Sequence, residues 1–349
     1  MKQNSSRSLL TVLLLIACGL LTSSVNAAQE EQKDAELTKE EYSWWLDRVG
    51  RWKTSTAFDW TMGSDNPQFI YINSESHSMM ILDNQYLLTR TITDGLEALA
   101  IEGFREDEKQ FWALSIDSNR TPFTYVSGNE DTGFYTTAYP DMVLTDPLGV
   151  YTRRENFIEK NVFQSKGFFR EKEFMTVTAT QKSNKAKDCL KLFEKSPKKP
   201  RRVNESSDKK DLAENYIEEH DFLVKLVGDF KSSDKSLFMT SRRICSGRFL
   251  FISIRDKNKK DELRSIYILG VDSTRAVFQM MKVDSKKKSP TYYEGLIRED
   301  GASLSFKNLN GEEDGNAAEE CLWILSDDKE LEQHILKGEA KDIISFSKS

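Results

Sequence analysis

Cysteine and histidine are scarce in this 349-residue chain, with 4 and 3 copies. So few cysteines exclude a small scaffold stapled by disulfides, and no Cys-x-x-Cys offers a zinc or redox pair. The histidines, His77, His220 and His334, lie far apart, so no His-Glu-x-x-His exists and none has a histidine neighbour for a metal. His334 falls late in the chain, where some haem-binding barrels place an iron ligand, but it reads better as a satisfied strand histidine. There is no Gly-x-x-x-x-Gly-Lys to cradle phosphate and no Gly-x-Ser-x-Gly nucleophile elbow. Asn310–Gly315 resembles the opening of a calcium loop, yet its twelfth position is Cys321 rather than a bidentate glutamate. No cofactor or metal is therefore expected, and no catalytic residue stands out.

Excess positive charge is also missing. The net charge is −6, which favours solubility and argues against nucleic acid as a partner. Long apolar runs are absent after the amino terminus, so no membrane span is expected in the mature chain. At that terminus Lys2 and Arg7 precede an apolar stretch from Leu9 to Ala17, and Val25-Asn26-Ala27 provides small residues at a signal-peptidase spacing. Residues 1–27 thus read as a cleaved signal peptide and 28–37 as a flexible lead-in, with a periplasmic or extracellular destination. A rival reading makes Cys18, in Leu15-Ile16-Ala17-Cys18-Gly19, the lipidated first residue of an anchored protein. Cys245 and Cys321 fall in the same half and are candidates for a disulfide, buried free thiols being the equal alternative.

What is present is a repeat. Val49-Gly50-Arg51-Trp52-Lys53-Thr54-Ser55 answers Val227-Gly228-Asp229-Phe230-Lys231-Ser232-Ser233 at an offset of 178. Tyr86-Leu87-Leu88 answers Phe249-Leu250-Phe251. Gly103, Asp117-Ser118 and Gly128 answer Gly270, Asp284-Ser285 and Gly295 at a constant 167. Two units follow, 38–181 and 212–349, separated by a basic polar linker over 182–211 that holds Ser196-Pro197-Lys198-Lys199-Pro200-Arg201-Arg202.

Each unit opens with a short helix: Thr38-Lys39-Glu40-Glu41 has capping-box spacing, and the helices end near Gly50 and Gly228. Strands follow. Ala302–Lys307 alternates apolar with polar, whereas Phe249–Ile254 is apolar on both faces and should lie deep. Polar turns every eight to fifteen residues or so indicate an antiparallel meander, and about 130 residues accommodate the eight to ten strands of a small closed barrel. The aromatics Trp52, Trp112, Phe249, Phe251, Phe278 and Trp323 are candidates to line a ligand cavity, with plain core as the alternative.

The opening Gly50-x-Trp52 after a helix resembles the start of lipocalin-like barrels. Both halves resemble a bacterial domain-of-unknown-function family, number 1579, through Val49-Gly50-Arg51-Trp52 and Gly103-Phe104 in one half and Ser246-Gly247-Arg248-Phe249-Leu250 and Gly270-Val271-Asp272 in the other. Asp83-Asn84-Gln85-Tyr86-Leu87 and Phe230 depart from its pattern. The resemblance implies an all-β chain of two tandem antiparallel lipocalin-like barrels and no particular chemistry. The expected function is a non-enzymatic binding or interaction protein for an unknown, partly apolar small molecule or an envelope protein. The alternatives are an enzyme with carboxylates at a barrel mouth and a lipid-anchored structural protein.

Overall fold

The computed structural model describes residues 46–59, 61, 65–93, 96–105, 110–118, 124–129, 133–135, 151–169, 172–185, 188–194, 219–272, 275–285, 287–309, 320–326, 329–337 and 340–349. The expected signal peptide, Cys18, the capping box and the basic run 196–202 lie outside them. Among the described residues no helix is long and apolar enough to cross a membrane. The chain divides into two compact units, Met1–Cys189 and Leu190–Ser349.

The first unit contains β1 (Gly50–Asp59), β2 (Phe69–Ile81), β3 (Tyr86–Thr93), β4 (Leu96–Arg105) and β5 (Gln110–Asp117). It continues with β6 (Thr124–Asn129), β7 (Gly133–Tyr135), β8 (Tyr151–Glu159), β9 (Val162–Phe169) and β10 (Lys172–Ser183). They form one ten-stranded sheet in the order β7-β6-β5-β4-β3-β2-β1-β10-β9-β8.

Among the described residues the second unit shows the α-helices α1 (Cys189–Glu194, whose first residue belongs to the first unit) and α2 (Glu219–Lys225). Its strands are β11 (Gly228–Ser232), β12 (Leu237–Ile244), β13 (Phe249–Asp256), β14 (Glu262–Asp272) and β15 (Val277–Asp284). Then come β16 (Lys287–Ile297), β17 (Ser303–Asn308), β18 (Glu320–Ser326), β19 (Glu330–Lys337) and β20 (Ala340–Lys348). These ten close into a barrel, β20 pairing back onto β11. The chain is therefore all-β with few helices, and the second unit is a closed barrel. In the first unit the described residues give no ladder between β7 and β8, so the sheet is registered on nine of the ten seams that its counterpart closes. Three residues of β7 offer little backbone for a tenth seam.

The repeat is written into the strand register. Gly50 faces Ser78 as Gly228 faces Ser241, and Ile81 faces Tyr86 as Ile244 faces Phe249. Leu88 faces Ile101 as Phe251 faces Ile268, and Gly103 faces Trp112 as Gly270 faces Gln279. Phe111–Gly128 matches Phe278–Gly295, and the seam Trp52–Gln181 matches Phe230–Lys348. The turns agree too: Ser118 N donates to Glu97 O at 2.9 Å, Ser285 N to Arg264 O at 3.0 Å, and Leu82 and Cys245 share a φ of 51°. A one-residue slip would invert every side chain, so this agreement places equivalent residues on equivalent faces.

The barrel of the second unit is filled. Leu250, Ile252, Tyr267, Leu269, Phe278, Met280, Phe306 and Trp323 point inward, and α2 with the residues after it adds Phe222, Leu223, Leu226 and Val227 at one end. Tyr267 and Phe306 meet Trp323 edge-on at 5.8 Å, while Phe222 meets Phe278 at 6.0 Å. The intervening residues of β13, Phe249 and Phe251, are buried on the other face, which is why Phe249–Ile254 shows no alternation. There Phe193 of α1 stacks on Phe251 at 4.8 Å, and the Glu194 carboxylate accepts from Ser253 Oγ at 2.8 Å and Arg255 Nη2 at 2.9 Å.

Candidate functional site

The two inner faces can be compared position by position. Where the second unit places Leu237, Met239, Ile252, Ile254 and Tyr267, the first places Ser74, Ser76, Thr89, Thr91 and Ala100. All of these first-unit residues are buried. Ser76 Oγ and Thr91 Oγ1 lie 3.0 Å apart, and Ser78 Oγ and Thr89 Oγ1 2.9 Å. Each pair uses one hydroxyl proton and retains donor and acceptor capacity.

On β1 the inward residues are Trp52, Thr54, Thr56 and Phe58. Thr54 and Thr56 are 2% and 1% exposed, and neither hydroxyl has a hydrogen-bond partner among the described residues. A buried polar group left unpaired costs about 1–3 kcal/mol, so two neighbouring examples call for a reason. Towards the Phe58 end the interior turns apolar: Phe58, Ile72, Phe174, Met175 and Val177 form one cluster, with Phe58 and Phe174 edge-on at 5.7 Å. Trp52, Phe163 and Ala179 form another.

A buried ion pair completes the interior. Residues 46–48 are helical, and from them Arg48 reaches Glu102 on β4, Nη1 to Oε2 2.7 Å and Nη2 to Oε1 3.2 Å, at 3% and 1% exposure. The same guanidinium lies 5.6 Å from the centroid of Phe163 on β9, and Arg48 O accepts from Trp52 Nε1 at 2.9 Å. β4 and β9 stand five places apart in the sheet, so their meeting at one side chain shows the sheet rolled around its hydroxyl-bearing face. The counterparts of Arg48 and Glu102 are Leu226 and Leu269, both in the apolar core of the second unit's barrel.

Of the six aromatic candidates, the structure brings Trp52 to the first interior and Phe278 and Trp323 to the second. Trp112, Phe249 and Phe251 lie on the opposite faces of their strands; Trp112 packs against Tyr86 at 5.8 Å. Gly103 makes room for it, since a Cβ there would sit 2.6 Å from Trp112 Cζ2. Cys245 and Cys321 are not joined by a disulfide, and both are buried. Cys321 sits in the barrel core, accepting from Trp323 Nε1 at 3.1 Å, while Cys245 occupies a 3-10 turn between β12 and β13. His77 and His334 each pair with a carboxylate two residues earlier, Glu75 at 3.0 Å and Glu332 at 2.8 Å. Among the described residues no group of three or more His, Cys, Asp or Glu is placed to hold a metal ion.

The hydroxyl band, Arg48 and Glu102 escape a reading of the sequence by residue type, which looks for aromatic linings and exposed charge. The repeat alignment carries the signal: leucines stand opposite both members of the ion pair, and large apolar residues opposite Ser, Thr and Ala.

No family model matches the chain, and no curated protein matches it. Among the solved structures similar to it, two cover most of its length. One is a protein of unknown function from the DUF3598 family of Nostoc punctiforme, 9% identical, covering 89% of this chain and 100% of that one, with a TM-score of 0.23. The other is isotype 1 transferrin binding protein B from serogroup B Neisseria meningitidis, 9% identical, covering 85% and 76%, with a TM-score of 0.17. At these values neither passes any property to this chain.

Proposed function

We propose that this chain is an exported, non-enzymatic binding protein that holds a small molecule inside its first unit, the second serving as a solid scaffold. In this reading the first sheet completes its own barrel through β7 and β8, as the resemblance to lipocalin-like domains implies, and Val25-Asn26-Ala27 marks the site of export. The observation that carries it is the replacement of a packed interior by small hydroxyl-bearing side chains at matched register. Interiors are normally filled to crystal-like density, and a shell of Ser, Thr and Ala leaves room that Leu, Met, Ile and Tyr occupy next door.

The full chain isolated from its source tests this by native mass spectrometry. A mass excess from a bound small molecule is expected. Ser76→Met, Thr89→Ile and Ala100→Tyr together, which import the second unit's side chains, should abolish it while the circular dichroism of the strands persists. An unliganded spectrum for both proteins would sink the reading.

A further inference from the structure

We infer that the ligand of the first unit is a small neutral polyhydroxylated molecule, of the polyol or monosaccharide class; this rests on the reading of that interior as a binding site. The lining argues for it by what it offers and what it withholds. Thr54 and Thr56 present two buried hydroxyls without partners, on one face of one strand. Across the same face the Ser76–Thr91 and Ser78–Thr89 pairs each keep one proton to donate and lone pairs to accept. Hydroxyls serve donors and acceptors alike, which is what a molecule carrying several hydroxyls requires.

Charged ligands fit less well. The Arg48 guanidinium, the natural seat for an anion, is held by Glu102 through both of its terminal nitrogens, and the same contact occupies the Glu102 carboxylate. A wholly apolar ligand fits poorly too, because it would seal the threonine hydroxyls in without partners. Sites that hydrogen-bond a hydroxyl reject analogues lacking it far more strongly than apolar pockets discriminate by size. The Trp52 indole, fixed by its bond to Arg48 O, and the apolar cluster around Phe58 supply flat and aliphatic surface for the C–H faces of such a molecule.

The test is calorimetric titration of the full chain with glucose, myo-inositol and glycerol, with laurate and inorganic phosphate as contrasting probes. Saturable binding of at least one polyol-class probe is expected. Thr54→Val with Thr56→Val, which keeps shape and removes the hydroxyls, should weaken it roughly tenfold or more while the unliganded protein melts no lower than wild type. Binding of laurate or phosphate with no polyol response would overturn the ligand class and leave the binding reading standing. Silence from every probe, together with a clean native mass spectrum, would overturn both. Loss of binding accompanied by a lower melting temperature in the valine variant would assign the hydroxyls to structure and overturn the inference.

Discussion

Replacing Glu102 alone by leucine would leave the Arg48 guanidinium enclosed and without its carboxylate, and the reverse replacement would strand Glu102. Breaking a buried pair in this way costs about 3–5 kcal/mol, whereas exchanging both members for apolar residues is often neutral or favourable. The second unit already shows the apolar solution, Leu226 with Leu269. Arg48→Leu and Glu102→Leu should therefore each lower stability in urea by about that amount, and the double variant should regain most of it. At Cys189 burial pushes the thiol up to about 12, from an ordinary 9.0. Its neutral form belongs to the folded state, so the stabilisation is complete below pH 9 and is lost as pH rises toward 12. Native protein should leave this thiol unlabelled by a disulfide reagent at pH 8 and label it on unfolding, as mass spectrometry of its peptide would report.

At the scale of elements, the turn joining β11 to β12 is organised by one carboxylate. Asp234 accepts from Ser236 N at 3.0 Å, from Ser236 Oγ at 2.8 Å and from Ser232 Oγ, and these bonds hold it down at about 2. A depressed carboxylate stabilises above its ordinary value and loses that contribution as pH falls through the folded one. Melting temperature should thus decline between about pH 4 and 2, with Asp234→Asn removing part of the decline. On the β4–β5 hairpin, Gly103→Ala should destabilise by about 1–3 kcal/mol in urea, because Trp112 cannot retreat from a buried face.

Elements were also where the sequence was most and least legible. The segment Ala302–Lys307, which covers most of β17, announces its buried face by alternation, with Leu304 and Phe306 inside and Ser305 and Lys307 out. That clue vanishes where both faces are covered, so Trp112 and Trp52, equal in chemistry, could not be told apart as outward and inward. The hydroxyl band stayed hidden because Ser and Thr at alternate strand positions look the same facing water or facing an interior.

For the whole molecule, the strand register shared by the two units is the organising fact, and it is readable because glycines and turn residues recur at matching spacing while the core residues differ. The filled barrel of the second unit carries its own core, and a fragment spanning residues 190–349 should melt cooperatively with a strand-dominated circular dichroism spectrum. A fragment without a sigmoidal transition would show that the core depends on the preceding residues.

One seam of that barrel reaches forward in time as well as in space. Phe230, Lys231 and Ser232 wait for Lys348, Ser347 and Phe346. During synthesis β12 can cover one edge of β11 at once, but the other edge lacks its partner strand until β20 has been made, more than a hundred amino acids later. Removing Phe346, Ser347 and Lys348 would turn a ring back into a strip with two sticky borders.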